Sequence, residues 1–458
     1  METRSWPYFD PDYERNGTRN NPPRVVIDND AYDDATLVKV DSANRHGILL
    51  EVVQALTDLE LTITKAYISS DGGWFMDVFH VTGQDGNKIH NKKILDDIKQ
   101  TLEVKKRRQG SCADLKTRPE QSVGAKSVTE HTAIELTGTD RPGLLSEVSA
   151  ILTTMNCNVN AAEIWTHNMR VACMVYVTDE ETKGPIKNAK KLDRIKELLL
   201  QVMGGDDDRK GAKTDFPAGV THTERRLHQL MFADRDYEDC DQMSRNMGGQ
   251  SRPIITVQNC NERGYSVVTV QCRDRPKLLF DTVCTLTDMQ FVVFHASIDS
   301  STTNAVQEYY IRHIDGCTLD ERGEQRIKKC LEAAIERRSN EGLRLELCTS
   351  DRVGLLSDVT RIFRENGLSV TRADVTTRGD KAVNVFYVTG ASGDPVDMKT
   401  VEAMRQEMGH VILEVKSPCA PPPPPEPEAK KLLTGLLKSS ERFFYGLANL
   451  GWRSTPIT

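Results

Sequence analysis

Four stretches of the sequence repeat the same residue types at the same spacing. They read TDRPGLLSEV (139–148), SDRVGLLSDV (350–359), ANRHGILLEV (43–52) and RDRPKLLFDT (273–282). The Asp or Asn near the start can accept hydrogen bonds from an ammonium group. The glycine lets a ligand approach the backbone closely, and a helix that begins after it attracts a carboxylate. Together these groups suit a free α-amino acid, with the following leucines as apolar walls.

Three of the four loops carry the complete set of candidate ligand contacts. These candidates are Asn44, Gly47 and Ile48, then Asp140, Gly143 and Leu144, then Asp351, Gly354 and Leu355. In the other loop Lys277 replaces the glycine and would crowd a pocket lined by backbone. We therefore expect that repeat to be structural or to bind something different. A purely structural reading is also open, because an Asp or Asn before a helix is often its N-cap.

The loops lie between elements whose order is the same in each repeat. In the second repeat a short strand (132–138) precedes the loop, and an amphipathic helix follows from about residue 144 to 155. Two paired strands that turn near Asn168 and a second helix (187–203) come next. The fourth repeat adds a last strand, which completes a split βαβ unit. The sequence thus predicts the α+β class, with tandem ferredoxin-like βαββαβ domains and antiparallel sheets. The last strand of the third repeat is not obvious.

The irregular spacing of the loops favours four separate small domains over a solenoid. Pairing of domains side by side would extend their sheets and cover strand edges; whether this occurs within one chain or in a homo-oligomer stays open. The expected divisions are an N-terminal extension (1–34), domain 1 (35–115), domain 2 (131–212), a polar linker (213–262) with a strand near 220–233, domain 3 (263–341), domain 4 (342–418), and a proline-rich tail with an amphipathic segment (419–458).

The repeated D-R-x-G-L-L-x-[ED]-V motif within β-α-β-β-α units resembles the ACT domain. Four copies are similar to the plant ACT-domain-repeat proteins, and WFMDVFHVT (74–82) is similar to part of their first repeat. The resemblance covers roughly residues 35–418. It implies regulatory modules that bind amino acids where two domains pack together, through the loop and the start of the second strand. On that basis Asn158 and Ser369 join the candidate contacts.

Composition and missing motifs exclude several other functions. A net charge of −7 does not provide the broad basic surface that nucleic-acid binding needs, and no apolar run is long enough for a membrane span. The 11 cysteines are scattered without a C-x-x-C pair, so we expect reduced thiols, no metal site, and the cytoplasm or the nucleus. No nucleophile elbow, phosphate loop or dinucleotide motif is present, so we expect no catalytic residues and no cofactor.

The sequence therefore predicts a non-catalytic regulator that senses free amino acids and is read by a protein partner. The alternative is an interaction scaffold whose ACT domains contact proteins without a ligand. Glycine retained in three of the four loops favours the sensor.

Overall fold

A computed structural model describes residues 24–43, 46–71, 74–104, 125–126, 130–204, 212–217, 221–238, 252–300, 303–317, 319–339, 342–409 and 412–416. Asn44 and the tail from residue 417, both named above, lie outside these residues. The described part forms four α+β repeats, which combine in two pairs.

Repeats 1 and 3 share one eight-stranded antiparallel sheet. Repeat 1 contributes β1 (Arg24–Asp28), β2 (Thr36–Ala43), β3 (Thr62–Asp71) and β4 (Trp74–Thr82), with helices α1 (Ile48–Asp58) and α2 (Lys92–Val104). A short pair of strands, β5 (Ala125–Lys126) and β10 (Thr221–His222), lies apart from the large sheets. Repeat 3 contributes β11 (Ile254–Cys260), β12 (Tyr265–Arg273), β13 (Phe291–Asp299) and β14 (Asn304–His313), with α6 (Leu278–Asp288) and α7 (Glu321–Glu336). The strand order is β1-β2-β4-β3-β13-β14-β12-β11.

Repeats 2 and 4 share the second eight-stranded sheet. Repeat 2 contributes β6 (Thr132–Thr139), β7 (Cys157–His167), β8 (Arg170–Asp179) and β9 (Lys213–Asp215), with α3 (Leu144–Thr154) and α4 (Ala189–Gly204). Repeat 4 contributes β15 (Leu343–Ser350), β16 (Leu368–Arg378), β17 (Lys381–Gly390) and β18 (Ile412–Lys416), with α8 (Leu355–Glu365) and α9 (Met398–Met408). The order is β18-β15-β17-β16-β7-β8-β6-β9.

The repeats pair through the strand that follows the first helix of each repeat, as the need to cover strand edges predicts. In one pair β3 lies antiparallel to β13, and in the other β7 lies antiparallel to β16. The first helices of the partners also contact each other, α1 against α6 and α3 against α8. Pairing therefore occurs within one chain, between repeats that are not neighbours in sequence.

The fourth strand of repeats 1 and 3 precedes the rest of the repeat in the sequence, where no strand was predicted. Strand β1 lies in the stretch taken as the N-terminal extension, and β11 in the stretch taken as linker. Each forms a hairpin with the first strand of its repeat. A strand that precedes the repeat can be as good an antiparallel neighbour as one that follows it. This explains why no last strand was found after the second helix of repeat 3.

The stretch 213–262 corrects a second expectation, because it contains a helix where a strand was predicted. Besides β9, β11 and the two-residue β10 at the start of the predicted strand, it holds α5 (Thr223–Ala233). Leu227, Leu230 and Met231 follow the helical spacing of three and four residues. They pack against the face of the second sheet that α3 and α8 leave free, where Trp165 and Tyr176 lie.

Candidate ligand-binding cleft

The loop that precedes each first helix ends in a left-handed residue that acts as the N-cap. Gly47, Gly143 and Gly354 have φ values of 81°, 82° and 81°. No side chain accepts a hydrogen bond at these caps. Asp140 and Asp351 are thus not N-caps, and the left-handed backbone at this position favours glycine whether or not a ligand binds. The first turn of each helix keeps N–H groups without a side-chain acceptor.

A cleft between repeats 2 and 4 brings together four of the predicted contacts. Asp351, Gly354 and Leu355 come from the loop and helix of repeat 4, and Asn158 comes from the start of β7 in repeat 2. Its cavity volume is about 20 Å³, room for about one water molecule, within about 350 Å³ of empty space that includes open solvent. The other lining residues are Ser149, Thr153, Cys157, Val159, Arg352, Leu356, Val375, Thr377, Ala382 and Asn384.

The carboxylate of Asp351 is held across the boundary of the two repeats. Asn158 Nδ2 donates to Asp351 Oδ2 at 3.4 Å, and Thr377 Oγ1 donates to the same oxygen at 3.3 Å. The Asp351 backbone N–H donates to the Asp380 carbonyl at 2.8 Å, which fixes the loop. Both side-chain bonds are long, so the carboxylate can still accept from a ligand ammonium group.

Asn384 is the cleft residue with the clearest sign of a missing partner. It lies on β17, is 1% exposed, and its Oδ1 has no hydrogen-bond partner among the described residues. A buried amide oxygen left unpaired costs about 1–3 kcal/mol. A ligand donor in the cleft would remove that cost.

The equivalent site on the other side of this pair is filled. A Cβ on Gly143 would lie 2.8 Å from Arg364 Cδ, whereas one on Gly354 would meet only Thr153, with Cγ2 at 3.2 Å. Arg364 and Thr153 hold the same position, ten residues after the glycine in α8 and α3. The difference between arginine and threonine thus leaves one half-site open and closes the other.

The remaining predicted contacts of this pair lie outside the open cleft. Asp140 is largely buried, and burial raises its pKa to about 6 against the opposing effect of the Arg141 amide and the Thr166 side chain. Leu144 is buried at the start of α3. Ser369 lies in β16, paired with Thr389, and does not line the cleft.

The described loop residues of repeats 1 and 3 do not line this cleft, and the loop of repeat 3 contacts α5. Gly47 has open space around its missing Cβ, and Ile48 is buried in the core. Lys277 takes the left-handed position with φ 66° despite its side chain. Its ammonium group forms an ion pair with Glu224 of α5.

The sequence reasoning missed Asn384 and Thr153. A signal for Asn384 existed, since it is the polar residue among the inward positions Ala382, Phe386 and Val388 of an alternating strand. Nothing in a single sequence indicates that Thr153 faces Gly354, because that contact depends on which repeats pair.

Comparison with known proteins identifies the family of the chain. A model of the ACR family N-terminal ACT domain matches residues 31–109, and the ACT domain model matches residues 132–193 and 343–406. ACT domain-containing protein ACR3 of Arabidopsis thaliana is 58% identical over 445 residues, which are 96% of this chain and 97% of that protein. The chain belongs to the ACR family of plant ACT domain-containing proteins.

Other relatives include a second member of the ACR family and a bacterial enzyme. ACT domain-containing protein ACR4 of Arabidopsis thaliana is 58% identical over 412 residues, covering 89% of this chain and 90% of that protein. The bifunctional uridylyltransferase/uridylyl-removing enzyme of Azospirillum brasilense is 40% identical over 81 residues, 18% of this chain and 9% of the enzyme. The last similarity extends over about one repeat only.

Two further features of this ACR chain concern metals and membranes. Within the described ranges, no group of three or more His, Cys, Asp or Glu side chains could hold a metal ion. The described helices also include none that is long and apolar enough to cross a membrane.

Proposed function

We propose that this ACR protein is a non-catalytic sensor that binds one free amino acid in the cleft between repeats 2 and 4. The observation that carries the proposal is the buried Asn384 Oδ1, which lacks a partner and lines the same cleft as Asp351. Buried polar side-chain atoms in folded proteins normally have a hydrogen-bond partner, and Asn384 Oδ1 is one that faces this cleft.

The two ends of the cleft suit the two charges of an amino acid. The carboxylate of the ligand lies at the start of α8, where Gly354 leaves the backbone open and the helix dipole favours negative charge. The ammonium group lies near Asp351, with Asn158 beside it. The polar lining by Ser149 and Thr377 favours a small polar side chain over a large aliphatic one.

Binding between two repeats gives the ligand a means of regulation. The cleft takes residues from both partners, so a ligand binds most tightly when they pack in one arrangement. It then shifts the population toward that arrangement, which a protein partner in the cytoplasm or the nucleus reads.

Calorimetric titration of the full-length chain against the twenty amino acids tests the proposal. We expect binding of a small polar amino acid with one ligand per chain. At 100 times its dissociation constant such a ligand stabilises the chain by about 2.7 kcal/mol.

A matched pair of variants on one helix locates the site. Thr153→Arg places an arginine over Gly354, as Arg364 lies over Gly143 in the closed half-site. It should weaken binding at least tenfold. Thr154→Arg adds the same charge at the next, exposed position and should leave binding intact. Equal affinities in the two variants would exclude the cleft. A panel without any binding would favour the interaction scaffold.

A further inference from the structure

Helix α5 connects repeat 2 to repeat 3 in the chain, and its start bonds to the ends of two first helices. His222, its N-cap, lies 2.6 Å from Asp58 Oδ1 through Nε2. Arg225 donates through both terminal nitrogens to Asp288. Asp58 and Asp288 are the last residues of α1 and α6, and so hold the same position in repeats 1 and 3.

Between these two contacts, Glu224 places a carboxylate beside the start of α6. It pairs with Lys277, which is the N-cap of α6, and with Arg338 Nη2 at 3.0 Å. Burial opposes its charge, yet Arg338 and Lys277 together lower the pKa of Glu224 to about 2. The carboxylate is therefore ionised in the folded protein.

The surroundings of the Glu224 carboxylate can be compared with the cleft in the other pair of repeats. Lys277 holds the position in repeat 3 that Gly354 holds in repeat 4, immediately before the first helix. The open cleft offers a helix start and Asp351 to a free ligand. The pair of repeats 1 and 3 offers the Lys277 ammonium group and the Arg338 guanidinium group, and a glutamate of the same chain is bound there.

We propose that the start of α5 is an intramolecular ligand of repeats 1 and 3, with Glu224 in the place of the carboxylate of a free amino acid. Only the comparison with a free ligand rests on the proposed function. The lysine that replaces the loop glycine then has a role, because it supplies the charge that retains Glu224. The pair of repeats 1 and 3 is thereby closed to free ligands.

The opposite side of α5 explains why it remains in place. Leu227 and Met231 pack on the second sheet against Trp165, and Arg226 bonds to Glu135 of β6 with both contacts at 2.7 Å. The helix is thus anchored on repeat 2 while its first turn reaches repeats 1 and 3. Binding of the start of α5 therefore also links the pair of repeats 1 and 3 to the pair of repeats 2 and 4.

Chemical rescue of a full-length Glu224→Ala variant tests the proposal. The variant leaves Lys277 and Arg338 facing a space of carboxylate size, which acetate can enter. We expect acetate, compared with chloride at the same ionic strength, to raise the melting temperature of Glu224→Ala by several degrees. Wild type and Glu238→Ala, a partly exposed glutamate that pairs with Arg235 near the end of the same segment, should show no such rise. Equal responses of all three proteins to acetate would overturn the proposal.

A second variant guards against a Glu224→Ala chain that does not fold. Lys277→Gly removes the charge and also the strain of a side chain on a left-handed backbone. If Lys277 had only a structural role, this variant would be more stable, and hydrogen exchange at the start of α5 would be slower. We expect the opposite, an increase of about tenfold or more in the exchange of amides 225–228, whose acceptors lie at the start of α5. Unchanged or slower exchange there contradicts the proposal. Neither experiment needs a ligand in the cleft of repeats 2 and 4, so a failure of the proposed function leaves both results interpretable.

Discussion

At the scale of single residues, a loop glycine can relieve backbone strain or leave room for a ligand. The sequence cannot separate these two effects, but the structure can. All three loop glycines have φ near 81°, but their surroundings differ, with open space at Gly47 and Thr153 close to Gly354. A side chain in this conformation costs about 1–3 kcal/mol. In urea titrations we expect Gly47→Ala to lose unfolding free energy of this size and Gly354→Ala to lose at least as much, because its Cβ would also lie 3.2 Å from Thr153 Cγ2.

Ligand affinity should distinguish the same two variants. Gly354→Ala adds a methyl group in the cleft and should weaken amino-acid binding, whereas Gly47→Ala lies in the other pair and should not. If both variants bound with the affinity of wild type, Gly354 would have a backbone role only.

Asp77 provides a second prediction at this scale, because its carboxyl group is completely buried in β4. Burial raises the pKa of Asp77 well above its usual range, and the Ser69 backbone opposes this only in part. A raised folded-state pKa means that stability is fully present below the unfolded value of about 3.9 and is lost as the pH rises through the folded value. Asp77→Asn should therefore melt at a higher temperature than wild type at pH 8, and the difference should shrink at pH 5. A difference independent of pH would contradict the assignment.

At the scale of elements, the contacts between α5 and repeat 3 depend on buried charges. Arg337 donates to both carboxylate oxygens of Asp236 at 2.6 Å, and Arg337 Nη1 lies 3.0 Å from His228. His167 of β7 contacts the same carboxylate at 3.2 Å. The group thus joins repeats 2 and 3 through the segment that follows α5.

Replacing Arg337 alone should lower the free energy of unfolding more than replacing Arg337 and Asp236 together. Arg337→Leu leaves Asp236 buried without its main partner, which typically costs about 3–5 kcal/mol. Arg337→Leu combined with Asp236→Leu should recover a substantial part of that loss. Urea denaturation of the two single variants and the double variant measures the difference, and strict additivity would show that the pair is not coupled.

Sequence patterns predicted the elements better than their partners. The alternation in AVNVFYVTG and the apolar spacing in LLSDVTRIF depend on local geometry, and both appear as β17 and α8. Strands β1 and β11 were missed because a short polar-flanked strand is recognised by its neighbour, which sequence does not reveal. The same reason hid the contact between Thr153 and Gly354, which exists only because repeat 2 pairs with repeat 4.

At the scale of the whole molecule, three of the four similar loops have three different outcomes. One loop opens into a cleft at Gly354, one is filled by Arg364 at Gly143, and that of repeat 3 binds Glu224 through Lys277. Single side chains, Arg364 from repeat 4 and Lys277 from repeat 3 itself, make these similar loops unequal. This asymmetry predicts one ligand per chain although the sequence suggests three sites.

The closed half-site at Gly143 should open when its arginine is shortened. Arg364→Thr gives α8 the residue that α3 carries at the same position, and calorimetry should then detect a second binding event. That event should be weaker, since Ser369 and Cys173 stand where the open cleft has Asn158 and Asn384. Arg361→Thr, an exposed position of the same helix, is the matched control and should keep one site. A single site in Arg364→Thr would mean that the floor of the half-site, and not the arginine above it, prevents binding.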